Sequence, residues 1–306
     1  MAGQTLSEIR GLLAAAGLAP RQRYGQNFLI DLNLMRKLVA AAEVKPHDVV
    51  LEVGCGTGSL TEMLLETGAR VVGVEIDRGL QAILRERLGA HPRFTLIQGD
   101  ALAGKHEINP LVLQVLAERR TETGAAGPHA TAGTEPGRYK LVANLPYDIA
   151  TPLLMELLYV TPRSERLTCT IQKEVAERLA AEAGTEAYGP VSVVTQTLAD
   201  IRLIAIVPPT AFWPRPQVES VMLTLRPRPP EDVDVDDVPA FVRFVRGAFV
   251  HRRKMLRKAA DHWGLSPADT MAAFGRAGIS WEARPEAVTP AQWRTLHRDV
   301  ASHWNR

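Results

Sequence analysis

From about residue 45 onward the chain alternates short β-rich runs with helical ones: DVVLEVG, SLTEMLLETG, RVVGVEI, GLQAILRERLG and RFTLIQGD follow in close succession. A strand separated from the next by a helix cannot pair with it through a tight turn, so the alternation predicts a parallel sheet with helices on both faces. YKLVAN adds another strand, TPLLMELLYV a helix behind it, and RLTCTIQ the strand after that. Sheets of this kind hold their ligands beyond the C-terminal ends of the strands, which directs attention to the residues that close each run.

A length of 306 residues leaves room for a second, smaller core. The alternation breaks at RPRPPEDVDVDDVP, residues 226–239, where prolines and five acidic residues interrupt the apolar pattern. The boundary is placed there, giving an α/β domain over 1–228 and a helical domain over 239–306. In the latter, SPADTMAAFGRAG and TPAQWRTLHRDVASHW each begin with Ser or Thr followed by Pro, a helix-start signal. Residues 103–138 form an insertion in the first domain: NPLVLQVLAERR is a short helical piece, and TETGAAGPHATAGTEPG is expected to be a mobile surface segment.

Near the N-terminus, Leu6, Ile9, Leu13 and Ala16 have helical spacing. GLLAAAGLAP therefore reads as part of an amphipathic helix rather than a cleaved signal, and it is too short to span a bilayer. Cys55 and Cys169 lie far apart with no CxxC pair or His cluster, which argues against a zinc site or a disulfide framework and for a reducing cytoplasm. No metal is expected. The net charge of +2 decides nothing about partners, so the distribution of charge must.

LEVGCGTGSL sets Gly54, Gly56 and Gly58 directly after a strand and before a helix, where the backbone can turn tightly and approach a ligand. Alone, this is no more than a tight turn, and its spacing is not the dinucleotide G-x-G-x-x-G. Glu75 ends the next strand, where a carboxylate can accept from both ribose hydroxyls of a nucleoside, and Asp100 ends the strand after, within reach of an adenine amino group. Glu52, just before the glycines, is placed to meet a cationic group. No Walker lysine is present, which excludes the usual ATP cradle. A cofactor with adenosine, no phosphate and a positive centre fits: S-adenosylmethionine.

The stretch VANLPYDI then closes a strand without offering a nucleophile, a metal ligand or, within NLPY, an acid. Adenine's exocyclic amine is a poor nucleophile because its lone pair is delocalised into the ring, and hydrogen-bond acceptors can localise that pair. The Asn144 side-chain oxygen and a backbone carbonyl of Leu145–Pro146 can each accept an N6 hydrogen, and Tyr147 offers a ring to stack on the base. Pro146 stiffens the turn and has no N–H to compete for the acceptors.

GQNFLID, LEVGCGTGSLTEMLL, VEID, GDAL, NLPYDIATPLL, QKEVAERL, VPPTAFWPRPQVES and FVHRRKMLRKAA stand in the order found in the ribosomal RNA adenine N6-dimethyltransferases. Over about residues 20–260 the chain resembles the KsgA (RsmA) type, which dimethylates two adjacent adenosines in a hairpin near the 3′ end of small-subunit 16S rRNA. The resemblance implies a Rossmann-like class I S-adenosylmethionine-dependent methyltransferase with a small C-terminal α-helical domain. It places cofactor contacts on Asn27, Leu29, Gly54, Glu75, Asp100 and Asn144. Target-adenine contacts fall on Asn144, on the backbone of Leu145 and Pro146, on Tyr147, and on Phe212 as a second stacking ring, for which an ordinary packed aromatic is the competing reading. It further implies a cytoplasmic monomer that takes 16S rRNA within an immature small subunit and serves its biogenesis, with no membrane involved. Three features depart from the usual pattern: the long insertion, Asp148 in place of Asn, and Pro190 where a basic residue is commoner.

Residues 241–260 carry seven Lys or Arg and no acid, interleaved with Phe241, Phe244, Phe249 and Met255. The spacing predicts one amphipathic helix that docks its apolar side and presents Arg252, Arg253, Lys254, Arg257 and Lys258 to phosphate. Three other functions stay open at this point. A 23S rRNA dimethylase of the macrolide-resistance type would share the pocket, a non-catalytic assembly factor would only bind subunits, and a DNA adenine methyltransferase would need a sequence-reading domain that is not evident.

Overall fold

The structure, a computed structural model, describes residues 3–21, 25–104, 107–124, 139–261 and 263–304. Most of the segment expected to be mobile, 125–138, lies outside the described residues. The chain gathers into two compact units, residues 1–176 with 202–226 and residues 177–201 with 227–306.

Thr5 and Glu8 cap each other reciprocally and start α1 (Leu6–Ala15), as the spacing predicts. A two-residue strand β1 (Phe28–Leu29) precedes α2 (Leu32–Ala41), which Asp31 caps. The alternation then appears as β2 (Val49–Val53), α3 (Ser59–Glu66), β3 (Arg70–Glu75), α4 (Arg78–Leu88) and β4 (Phe94–Gln98). The expected insertion begins with an antiparallel pair, β5 (Leu102–Gly104) and β6 (Glu107–Ile108), and continues into α5 (Pro110–Gly124). Ile108, Val112 and Leu116 are buried, so this part of the insertion is packed structure. β7 (Tyr139–Asn144), α6 (Ala150–Leu157), β8 (Ser164–Gln172), α7 (Lys173–Ala180), α8 (Pro190–Leu198), β9 (Ala199–Val207), β10 (Phe212–Trp213) and β11 (Ser220–Pro227) follow.

The main sheet has seven strands in the order β4-β3-β2-β7-β8-β11-β9. β4, β3, β2, β7 and β8 are parallel, as the alternation requires, and β11 returns antiparallel to β8. β2 reads VVLEV because both of its faces are covered: all five residues are buried, and only a strand inside a two-sided α/β sheet loses the polar alternation. Burial of each such Val or Leu is worth roughly 1.5–3 kcal/mol. Beside this sheet β1 pairs antiparallel with β10, Phe28 opposite Trp213 and Leu29 opposite Phe212.

The second unit contains α9 (Pro230–Val233), α10 (Val238–Phe249), α11 (Arg257–Ala260), α12 (Pro267–Arg276) and α13 (Pro290–Trp304). Its core is aromatic: the Phe244 ring lies 5.0 Å from Trp263, 5.9 Å from Trp293 and 5.3 Å from His297. Residues 177–201, which the sequence reading kept in the first domain, belong with this core. Tyr188 is fully buried, packs on Phe249 and donates its hydroxyl to the Val288 carbonyl at 2.7 Å.

One expectation fails here. The stretch 240–263 is not a single helix: α10 stops at Phe249, residues 250–256 turn, and α11 restarts at Arg257. The cause lies in the hydrogen bonds. The Leu256 N–H goes to the Ala283 carbonyl at 2.8 Å instead of to the carbonyl four residues back, and the Lys254 N–H closes a turn on His251.

Candidate active site

A cavity of about 370 Å³ opens in the first unit where β2, β3, β4 and β7 end. Nine of the ten residues assigned to cofactor and base contribute to its wall: Asn27, Leu29, Gly54, Glu75, Asp100, Asn144, Leu145, Pro146 and Tyr147.

The glycine loop forms the floor. Gly54 has φ +79°, and a Cβ there would stand 3.2 Å from Pro146, so the loop and the NLPY turn touch because no side chain separates them. At Gly56, with φ +59°, a Cβ would meet the Phe28 ring at 3.0 Å. Two backbone N–H groups, those of Gly56 and Asp77, donate to the two Glu75 carboxylate oxygens at 2.9 Å each. Burial pushes the Glu75 carboxyl up, and these two donors pull against that shift.

Glu52 is 1% exposed and receives the Thr61 hydroxyl at 2.6 Å. Burial pushes its carboxyl up to about 8, with the Glu75 charge adding to the shift, so at neutral pH Glu52 holds a proton until a cation lies beside it. Asp100 is exposed at the rim; one of its oxygens accepts the Leu102 N–H at 2.9 Å and turns the chain there.

The NLPY turn is pinned by the Leu145 N–H on the Thr170 carbonyl at 3.1 Å and by the Ile149 N–H on the Pro146 carbonyl at 3.3 Å. The Asn144 Nδ2 donates to the Asn27 carbonyl at 2.9 Å. A carbonyl can only accept, so this bond fixes which way the amide faces, and Oδ1 is the atom left over. Among the described residues that oxygen is buried and has no hydrogen-bond partner. A buried acceptor without a donor costs about 1–3 kcal/mol, which a ligand N–H can recover.

Three contributors escaped the sequence reading. Gln26 and Phe28 line the cavity, flanking the residues named from GQNFL. Asp77, 2% exposed, caps α4 with one oxygen and with the other accepts from Arg21 at 3.0 Å and Gln26 at 3.2 Å, tying the N-terminal segment down. A capping signal was legible there, since Asp77 stands immediately before a helical run.

The tenth residue, Phe212, is placed elsewhere. It is 3% exposed and belongs to the hydrophobic core that contains Leu29, its partner across the β1–β10 pair. Among the described residues it does not line the cavity, and of its two readings the packed aromatic describes its position.

The five basic residues of the second unit divide. Arg252 is spent on Glu286 at 3.2 Å and on the Glu186 carbonyl at 2.7 Å, and Arg257 lies over the Trp281 ring at 5.5 Å. Arg253, Lys254 and Lys258 are exposed and line a concavity together with His251, Met255, Arg284 and one acid, Asp261.

The chain is similar to known proteins over nearly its whole length. The family model described as ribosomal RNA adenine dimethylase matches residues 17–300. The protein named ribosomal RNA small subunit methyltransferase A from Moorella thermoacetica is 39% identical over 97% of both chains. Its namesake from Anaeromyxobacter dehalogenans is 40% identical over 94% of this chain and 96% of its own. The solved 23S rRNA methyltransferase ErmE superposes with a TM-score of 0.63 at 25% identity, covering 90% of this chain and all of that one. A Plasmodium falciparum dimethyladenosine transferase gives 0.64 at 21% identity, over 89% and 96% of the two chains, and supports the fold. With a family match across nearly its whole length and relatives near 40% identity, the chain belongs to the ribosomal RNA adenine dimethylase family and is an S-adenosylmethionine-dependent rRNA methyltransferase.

Proposed function

We propose that the protein transfers two methyl groups to N6 of each of two adjacent adenosines in the 3′-terminal hairpin loop of 16S rRNA, acting as a monomer on immature small subunits. The observation that carries the reading is the buried, unpartnered Asn144 Oδ1 at the end of β7, an acceptor held ready for an amine hydrogen. The names of the relatives from Moorella and Anaeromyxobacter support the small subunit over the large one.

The residues present fit S-adenosylmethionine. The glycine loop has room where Cβ atoms would intrude, Glu75 and Asp100 line the cavity from successive strand ends where they would accept from an adenosine, and Glu52 suits a neighbouring cation. Asn27, Leu29, Gly54, Glu75, Asp100 and Asn144 are the residues we assign to hold it. When bound it supplies an electrophilic methyl on a sulfonium, and each round exchanges one N6 proton for that methyl.

The chain's own task is positional. Asn144 Oδ1 and the Leu145 carbonyl accept from N6 and draw its lone pair out of conjugation. Leu145 is preferred within the turn because the Pro146 carbonyl already takes the Ile149 N–H. Tyr147 stacks on the base, and Leu29, Met35 and Val53 give the cavity an apolar wall. No protein nucleophile takes part, and the nitrogen's proton leaves to solvent. A loop adenosine is already partly unstacked, so bringing it in costs less than extracting one from a duplex. Arg253, Lys254 and Lys258 are assigned to rRNA phosphate.

The test is incubation with labelled S-adenosylmethionine and undermethylated 30S or 50S particles, followed by mass spectrometry of the nucleosides. N6,N6-dimethyladenosine in 16S rRNA, lost with Asn144→Ala, is the expected result. Label in 23S rRNA instead would select the resistance-type activity, and subunit maturation without any label would select an assembly factor.

A further inference from the structure

The Tyr147 ring sits on a turn, where a side chain ordinarily keeps its rotational freedom. Its hydroxyl nevertheless shares a hydrogen bond of 2.8 Å with the Ser220 hydroxyl, 73 residues away in sequence. Ser220 is wholly buried and opens β11, where it pairs with Gln172 at the end of β8. β8 separates β11 from β7, so the tyrosine reaches the strand two places along the sheet from the one its own turn follows. Its backbone is held at the other end by the turn's two hydrogen bonds to Thr170 and within Pro146–Ile149. The hydroxyl oxygen lies on the axis about which the ring turns, so the bond fixes where that axis points, and because a phenol O–H and its acceptor lone pair favour the ring plane, it also orients the plane about that axis.

We infer that Ser220 is a positioning residue for methyl transfer: through the Tyr147 hydroxyl it sets the plane against which the target base lies. This rests on the reading of the cavity as an adenine site. The second transfer should feel it most, because an amine already carrying a methyl must be turned so that its remaining hydrogen and lone pair are again aligned. A free ring allows the bulkier base to settle askew.

The experiment compares wild type, Ser220→Ala, Tyr147→Phe and the double variant on undermethylated 30S particles. It reads kcat, the KM for S-adenosylmethionine, and the ratio of N6-methyl- to N6,N6-dimethyladenosine. Each single variant should lower kcat by about three- to tenfold, the worth of one neutral hydrogen bond, leave the cofactor KM unchanged and raise the monomethyl fraction. The double variant should be no worse than either single one, since both remove the same bond. Tyr147→Phe keeps the ring and provides the reading if Ser220→Ala folds poorly, and Ser220→Thr, which restores a hydroxyl, should recover the product ratio. Wild-type rates and product ratios in both single variants, or losses that add in the double one, would overturn the inference alone. A wild-type protein that makes no dimethyladenosine on 16S rRNA would overturn the adenine reading and the inference with it.

Discussion

On the proposed reading, the cavity of the first unit and the basic turn of the second are opposite solutions to recognising a nucleic acid. In the cavity the decisive group is a buried neutral oxygen, Asn144 Oδ1, whose value lies in having nothing to bond to. In the turn the decisive groups are exposed cations, and two of the five expected there are already committed to the protein. Buried neutral acceptors act through geometry and are indifferent to salt, whereas exposed cations act through counterion release and are governed by it.

That contrast yields a ranked set of outcomes. Asn144→Ala should cost the most, about a hundredfold or more in kcat, with little change in the salt dependence of particle binding measured by filter retention. Gly54→Ala comes next: the added methyl meets Pro146 and the backbone is strained at φ +79°, so S-adenosylmethionine affinity by calorimetry should fall about tenfold or more. Replacing Arg253, Lys254 and Lys258 together should weaken rRNA binding while reducing the slope of log K against log salt by about 0.7–0.9 for each phosphate no longer neutralised. Arg257→Ala should lower the melting temperature through its lost place over Trp281 and leave that slope alone. A salt slope that changes equally for Arg257→Ala and for Lys258→Ala would break the division drawn between the two groups.

A further effect is one of pH. Glu52 titrates at about 8 in the folded protein against 4.5 as an ordinary carboxyl, so between these values the folded state retains a proton that the unfolded state has lost. Stability from this group is therefore present below about 4.5, falls as pH rises toward 8 and levels off above it. Glu52→Gln should flatten that fall, seen as a melting temperature closer to constant between about pH 5 and 8 in the cofactor-free protein. A wild-type profile that rises over the same interval, with the Glu52→Gln variant following the same curve, would show that Glu52 ionises freely.

Most of the first unit was legible because fully buried parallel strands and amphipathic helices leave unmistakable runs; β2, β3, β4, β7 and β8 all fall on stretches read as strands. The cavity's polar residues were legible for a related reason, since strand ends are where such sheets gather ligands. What was missed depends on contacts distant in sequence. Strands of two residues, β1 and β10, have no periodicity to detect, and their pairing is what buries Phe212 against the core with Leu29. α8, PVSVVTQTL, is rich in β-branched residues and reads in sequence neither as a helix nor as part of the second core, and neighbouring Tyr188 settles its place through a bond 100 residues away. The break after Phe249 was equally hidden: the run remains amphipathic, and only the Ala283 carbonyl diverts it.

The bond between Asn144 and the Asn27 carbonyl spans 117 positions, and the strand just after Asn27 is itself held by Phe212 and Trp213. A ribosome making this protein therefore releases the first asparagine long before its counterpart, and the residues that hold the early segment emerge later still. The oxygen acquires its orientation only when all three stretches have met. If the cavity is the base pocket proposed above, a growing chain lacks it until nearly the whole first unit has been made, and catalytic competence is a late event of synthesis.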